Sequence, residues 1–227
     1  MPPQPSAPSV TGRVVFVPGL GLDAREWAGV WPLLAGPSTV VSVPSMGRPA
    51  RRRADLSVPA LANELRDTLA EGDGVVLVGH SASCQVVAQA AADDDRVVGV
   101  VLVGPTTDPA AKGWLRLVAR WVRTAPHEQT WEVRAVAPQY RRTGLRSIAA
   151  GMHRVRHHRV DDALASTSVP VVVVRGEHDR IAPQQWCRHL AEVSGGEVRT
   201  VAGGAHMLPL THPDAVAEAV ASVRARV

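Results

Sequence analysis

The stretch VVLVGHSASC, residues 75–84, governs how the rest of the chain is read. Four apolar residues run into Gly79, His80 and Ser81, and the chain continues as QVVAQAAA, an alanine-rich helical pattern. A short apolar run of this kind suits a buried strand. Strand gives way to helix on a serine flanked by small residues. A serine ahead of a helix is also a common N-cap, so its meaning depends on what the other strand ends supply.

Working outward, β-branched runs recur at 13–17 (RVVFV), 39–43 (TVVSV), 97–103 (VVGVVLV), 169–174 (VPVVVV) and 197–201 (EVRTV). Most are continuously apolar, the pattern of strands covered on both faces in a parallel sheet. Helical stretches lie between them. Residues 57–70 carry a Ser cap, an early Pro and Leu61, Leu65 and Leu69 on one face. Residues 83–92, 184–193 and 213–226 also read as helices. Alternation of this kind predicts an α/β doubly wound, mostly parallel sheet of about six strands. Residues 106–165 break the rhythm. They hold no convincing strand, and Trp114, Leu117, Val118, Trp121 and Val122 fall at helical spacing. The expectation is a helical insertion at 106–165 covering the strands' C-terminal edge like a lid, over a core made of 13–105 and 166–227. Trp114, Trp121 and Trp131 read as the core of that insertion.

Composition narrows the classes. The 227 residues are 45% hydrophobic and 20% charged, enough for one substantial core. The net charge is +4, and Arg51-Arg52-Arg53 is the one tight basic run, which reads as a solvated loop and argues against a nucleic-acid partner. Cys84 and Cys187 suggest no disulfide framework. Residues 1–12, rich in Pro and Ser, read as a disordered tail without signal-peptide character. Apolar runs fall short of the ~18 residues a membrane span needs. Together these predict a cytoplasmic protein with no membrane partner. His153, His157 and His158 lack Cys or carboxylate partners at ligand spacing, so neither metal nor cofactor is expected.

In open α/β sheets the site lies at the carboxyl ends of the strands. Pro18-Gly19-Leu20-Gly21 follows the first strand, and Gly79-His80-Ser81-Ala82-Ser83 the third. Gly104 to Asp108 follows the fourth, Arg175 to Asp179 the fifth, and Gly203 to His206 the sixth. A serine, a carboxylate and a histidine therefore arrive in that order.

On these residues the chain resembles the α/β-hydrolase-fold superfamily, in particular its small lidded esterase and thioesterase-like members, from about residue 13 to the end. The family's elbow G-x-S-x-G is matched by Gly79 to Ser83 except at the last position, where Ser83 replaces Gly. A slightly wider strand–helix approach is expected there. The resemblance implies Ser81 as nucleophile, Asp179 as acid and His206 as base, with the N–H groups of Leu20 and Ala82 as oxyanion hole. Asp108 is the main alternative acid, with Glu177 behind it, and His212 is the alternative base. His80 reads as structural or pocket-lining. Trp27, Trp114 and Met207 are further pocket candidates.

Within 106–165 ten Arg and one Lys stand against five acids, a local excess of +6, while the remainder carries −2. That face is either solvated or meets an anionic substrate or an acidic carrier protein. The expected activity is hydrolysis of an ester, thioester or lactone acyl substrate through an acyl-enzyme. The same triad also serves C–C bond hydrolysis, hydroxynitrile-lyase-like or cyclase chemistry in this superfamily, and a non-catalytic binding protein is the third alternative.

Overall fold

The valine-rich runs pair side by side because each buries both faces and so needs helices above and below it. The computed structural model describes residues 12–70, 72 and 74–227. The tail expected at 1–12 lies, Gly12 apart, outside the described residues. In chain order the elements are β1 (Arg13–Val17), β2 (Ser38–Val40), β3 (Val43–Pro44), β4 (Gly47–Arg48), α1 (Val58–Arg66), β5 (Val75–His80), α2 (Ser83–Ala92) and β6 (Val97–Val103). Four helices follow without a strand: α3 (Trp114–Thr124), α4 (Thr130–Thr143), α5 (Leu145–Val155) and α6 (Val160–Ala165). Then come β7 (Val171–Gly176), α7 (Gln184–Ser194), β8 (Glu197–Val201), α8 (Leu208–Thr211) and α9 (Pro213–Arg224).

The main sheet has the order β2-β1-β5-β6-β7-β8, and each neighbouring pair is parallel. Alternate residues of each strand serve opposite faces. Val15, Leu77, Val100, Leu102 and Val173 face α1, α2, α6 and α7. Val14, Val76, Val78, Val101 and Val172 face Trp27 and α9. Each such fully buried Val or Leu contributes about 2 kcal/mol relative to exposure. The chain runs from β1 out to β2, then crosses back to β5 on the other side of β1. The crevice between the ends of β1 and β5 is therefore the topological switch point, where ligands of doubly wound sheets bind.

Boundaries differ from the sequence expectation in three places. The second strand stops at Val40, and Val43–Pro44 pairs instead with Gly47–Arg48 as a separate ribbon. The fifth strand begins after Pro170, which has no N–H to donate, and runs on to Gly176. The first helix ends at Arg66, and the Thr68 hydroxyl donates to the Leu65 carbonyl at 2.6 Å just beyond it. No helix among the described residues is long and apolar enough to cross a membrane.

At Gly176, the last residue of β7, a Cβ would collide with the backbone oxygens of Gly204 and Ala205. The loops after β7 and β8 pass at that distance because no side chain intervenes. Gly176→Ala is expected to destabilise by roughly 2 kcal/mol through overpacking. At about 3 °C per kcal/mol for a chain of this size, thermal unfolding followed by circular dichroism should show a loss of roughly 6 °C. An unchanged midpoint would mean that the two loops are free to separate.

Candidate active site

β5 ends in the middle of the sheet on His80, and Ser81 follows with φ +55°. That is the left-handed region, strained for a residue with a side chain. Two features hold the turn. The Ser81 N–H donates to the Val103 carbonyl at 2.8 Å. At Gly79 a Cβ would lie 2.8 Å from the Val87 side chain and 3.0 Å from the Cys84 nitrogen, so strand and helix approach closely there. Ser83, which breaks the glycine pattern, is fully buried and occupied. Its hydroxyl accepts the His80 N–H at 2.8 Å and donates to the Val17 carbonyl at 2.8 Å, tying the elbow to the end of β1.

The Ser81 Oγ lies 2.9 Å from His206 Nε2, and His206 Nδ1 lies 2.8 Å from Asp179 Oδ2. The other Asp179 oxygen accepts the N–H groups of Ile181 at 2.8 Å and Ala182 at 3.0 Å. Burial alone would push the Asp179 carboxyl up. The charge and hydrogen bond of His206, with the two backbone N–H groups, outweigh it and hold the group below the usual carboxylate range. The alternatives are engaged elsewhere. Asp108 accepts the Ala110 N–H and pairs with Arg120, Glu177 accepts the Gly203 N–H, and His212 Nδ1 faces the Thr211 hydroxyl.

Among the described residues no acceptor meets the N–H of Leu20 or Ala82, the two groups expected to receive an oxyanion. A cavity of about 420 Å3 opens at Ser81 and His206, walled by Leu20, Leu117, Ile148 and Met152. His80, Trp114 and Met207 also line it. Trp27 does not. It is fully buried behind the site, its ring 4.8 Å from Phe16 and edge-on to His80. The tryptophans of the insertion are not its core either: Trp114, Trp121 and Trp131 are 44%, 42% and 47% exposed. α3 turns only Leu117 of its apolar stripe fully inward. Trp121 lies between this cavity and a second one of about 400 Å3, which also reaches His206.

One pair was not legible in the sequence. Glu26 is fully buried and forms an ion pair with His80 Nδ1. Its second oxygen accepts the Gly19 N–H at 2.8 Å, while His80 Nε2 lies 3.0 Å from the His206 carbonyl. Burial opposes charge on His80, but Glu26, the His206 carbonyl and Asp179 raise its pKa nonetheless. Nothing local marks Glu26 in DAREWAGV: acidic residues in such a segment are ordinarily solvated, and the pairing spans 54 positions.

A family model described as an alpha/beta hydrolase family matches residues 14–219, and the chain belongs to that family. No curated protein matches the sequence. Among solved structures the chain is similar to a bromoperoxidase from Bacillus anthracis, at 18% identity and a TM-score of 0.76, covering 93% of this chain and 91% of that one. It is similar to a hydrolase from Oleispira antarctica, at 14% identity and TM-score 0.74, covering 95% and 92%. It is also similar to the enol-lactonase from Burkholderia xenovorans LB400, at 18% identity and TM-score 0.71, covering 94% and 91%. At these identities the likeness is one of fold.

Removing one partner of a buried ion pair leaves the other unpaired, at a cost of about 3 kcal/mol. Glu26→Ala should therefore lower the unfolding midpoint by roughly 9 °C, and Glu26→Gln by much less, since the amide still accepts from Gly19. Because His80 is raised in the folded state, the pair's contribution is complete below the ordinary imidazole value and fades as pH climbs through the raised one. The gap between parent and Glu26→Ala should accordingly narrow on the alkaline side. A gap that widened with pH would assign the loss to packing alone.

Proposed function

We propose that the protein is a serine hydrolase that cleaves a carboxylic ester, thioester or lactone through an acyl-enzyme on Ser81. The observation that carries this is the continuous chain from the Ser81 hydroxyl through His206 to Asp179, at 2.9 and 2.8 Å, at the mouth of an apolar cavity. A serine hydroxyl is a weak nucleophile at neutral pH and needs a base within hydrogen-bond reach. Asp179 accepts from Nδ1, which leaves Nε2 free to take the Ser81 proton. Oγ then bonds to the substrate carbonyl carbon, and the oxygen takes up negative charge. The unengaged N–H groups of Leu20 and Ala82 receive that charge, each worth about 3 kcal/mol of barrier lowering. His206 passes the proton to the leaving group, whose bond to carbon breaks. Water, deprotonated by the same nitrogen, then releases the acid and restores Ser81.

The lining of both cavities that reach His206 contains no Arg or Lys. The acyl group held beside Ser81 is therefore uncharged and apolar in this reading. An anionic portion of the substrate, or an acidic carrier protein, would be met only by the outer arginines of the lid. A cyclic ester, the substrate type named for the enol-lactonase neighbour, falls within the same class. We place the activity in the cytoplasm, in keeping with Cys84 and Cys187, both free buried thiols.

The test is intact mass after treatment with a fluorophosphonate, followed by hydrolysis of chromogenic esters of increasing chain length. One stoichiometric adduct is expected on the parent and none on Ser81→Ala. Ser81→Ala and His206→Ala should each lower kcat by roughly 10⁴-fold or more, because the members act as a unit. Asp179→Asn should cost comparably, whereas Asp108→Asn should leave turnover near the parent's. Equal turnover by Ser81→Ala and the parent would remove Ser81 from the chemistry.

A further inference from the structure

The helical insertion is tied to the loops of Asp179 and His206 by one short turn. Thr124, the last residue of α3, and the link 125–129 to α4 lie against those loops. The Thr124 hydroxyl accepts the Arg180 N–H at 3.0 Å. The His127 ring stacks on His178 with centroids 4.3 Å apart and planes 13° from parallel. Glu128 Oε1 accepts the N–H of His206 at 2.8 Å. The turn thus grips the residues on either side of Asp179 and the backbone of His206 itself.

Glu128 does not act alone. Glu132, one helical turn on, is buried, and its Oε1 accepts the Gln129 N–H at 2.7 Å in the capping box of α4. The remaining oxygens, Glu128 Oε2 and Glu132 Oε2, are shielded from solvent, and among the described residues neither has another donor. Four positions separate the two residues, and both line the second cavity. A shielded carboxyl oxygen with no donor, near a second carboxyl, favours the protonated form, because an ionised oxygen there would be unpaired.

Resting on the hydrolase reading above, we propose that Glu128 is a positioning residue that holds the His206 backbone and keeps the insertion docked over Ser81. With its proton on the shielded Oε2, Glu128 still accepts the His206 N–H through Oε1. Loss of that proton leaves an unpaired charge buried beside the base, and the docked position becomes costly. The titratable groups facing Glu128 are Glu132 and Tyr140 of α4 and His206 of the loop after β8, with His178 and Arg180 flanking the same turn. Burial raises the Glu128 carboxyl, and the nearby Glu132 carboxyl raises it further, to about 8; the N–H and charge of His206 oppose this and are outweighed. A group raised in the docked state stabilises docking fully below its ordinary value and ceases to as pH rises through the raised one. Docking therefore weakens towards pH 8 and above.

The experiment has two arms on the full chain. The first is the pH profile of kcat on a chromogenic ester between pH 6 and 9.5. The parent should lose activity above about pH 8, whereas Glu128→Gln, whose amide still accepts from His206 and has no proton to lose, should hold its activity to the upper limit. At pH 7 Glu128→Ala should lose roughly tenfold to a hundredfold in kcat through a misplaced base, with little change in KM. The same alkaline fall in the parent and in Glu128→Gln would overturn the proposal. The second arm needs no substrate: amide hydrogen exchange of residues 204–208 at pH 7. Protection should fall at least tenfold in Glu128→Ala and stay at the parent level in Ser81→Ala. Unchanged protection in Glu128→Ala overturns the positioning role whether or not the protein hydrolyses an ester. Lost protection together with absent fluorophosphonate labelling of the parent would overturn the hydrolase reading alone.

Discussion

The buried pair of Glu26 and His80 is the contact on which the geometry of the site depends. Glu26 holds the Gly19 N–H in the loop after β1, His80 ends β5, and the far nitrogen of His80 lies against the His206 carbonyl after β8. Three strand ends, far apart in sequence, are therefore referred to one imidazole. An ion pair of this kind is costly to bury, and it persists only when its remaining donors and acceptors are satisfied. Here the satisfying partners are the backbones of the loops that carry Gly19 and His206. The cost of burial becomes a constraint on where those loops can sit.

A parallel sheet explains why such a constraint can be met. All six strands point their carboxyl ends to the same edge, so that a serine, a carboxylate and a histidine from β5, β7 and β8 converge there without long connections. Small contacts supply the remaining precision. Ser83 braces the elbow against Val17, Gly176 lets the acid and base loops pass, and Asp179 is held by two backbone N–H groups. The strain at Ser81 is sustained because these neighbours leave the turn no other conformation.

The insertion supplies a different environment. Leu117, Ile148 and Met152 close an apolar cavity, while its arginines stay away from the two cavities that reach His206. Its tryptophans stand half in solvent instead of forming a packed centre. A thin layer of amphipathic helices has too little interior to bury large rings on every side. The insertion accordingly depends on the core beneath it, which it meets through Gln139, Thr143, Ser147 and His158 as well as through the loops of Asp179 and His206.

Much of this architecture was legible in the sequence, because it rests on local signals. Continuous valine runs marked strands buried on both faces, alanine- and leucine-rich stretches marked the helices, and a serine between small residues marked the elbow. The order of Ser81, Asp179 and His206 singled out three side chains that the fold links through His206, at 2.9 Å to Ser81 and 2.8 Å to Asp179. What lay beyond reach were contacts made across long separations by residues with no local signature. Trp27 reads equally well as a pocket wall or a core ring until Phe16 is seen beside it. Glu26 and Glu128 look like ordinary solvated acids until the fold makes one an ion-pair partner of His80 and the other an acceptor for the His206 N–H. By itself the sequence determined the class of fold and singled out the three side chains of the proposed triad, since periodicity and motif order are properties of the chain. Only the tertiary structure decided how those side chains are held, since the charge state and partners of a buried polar group depend on what surrounds it in space.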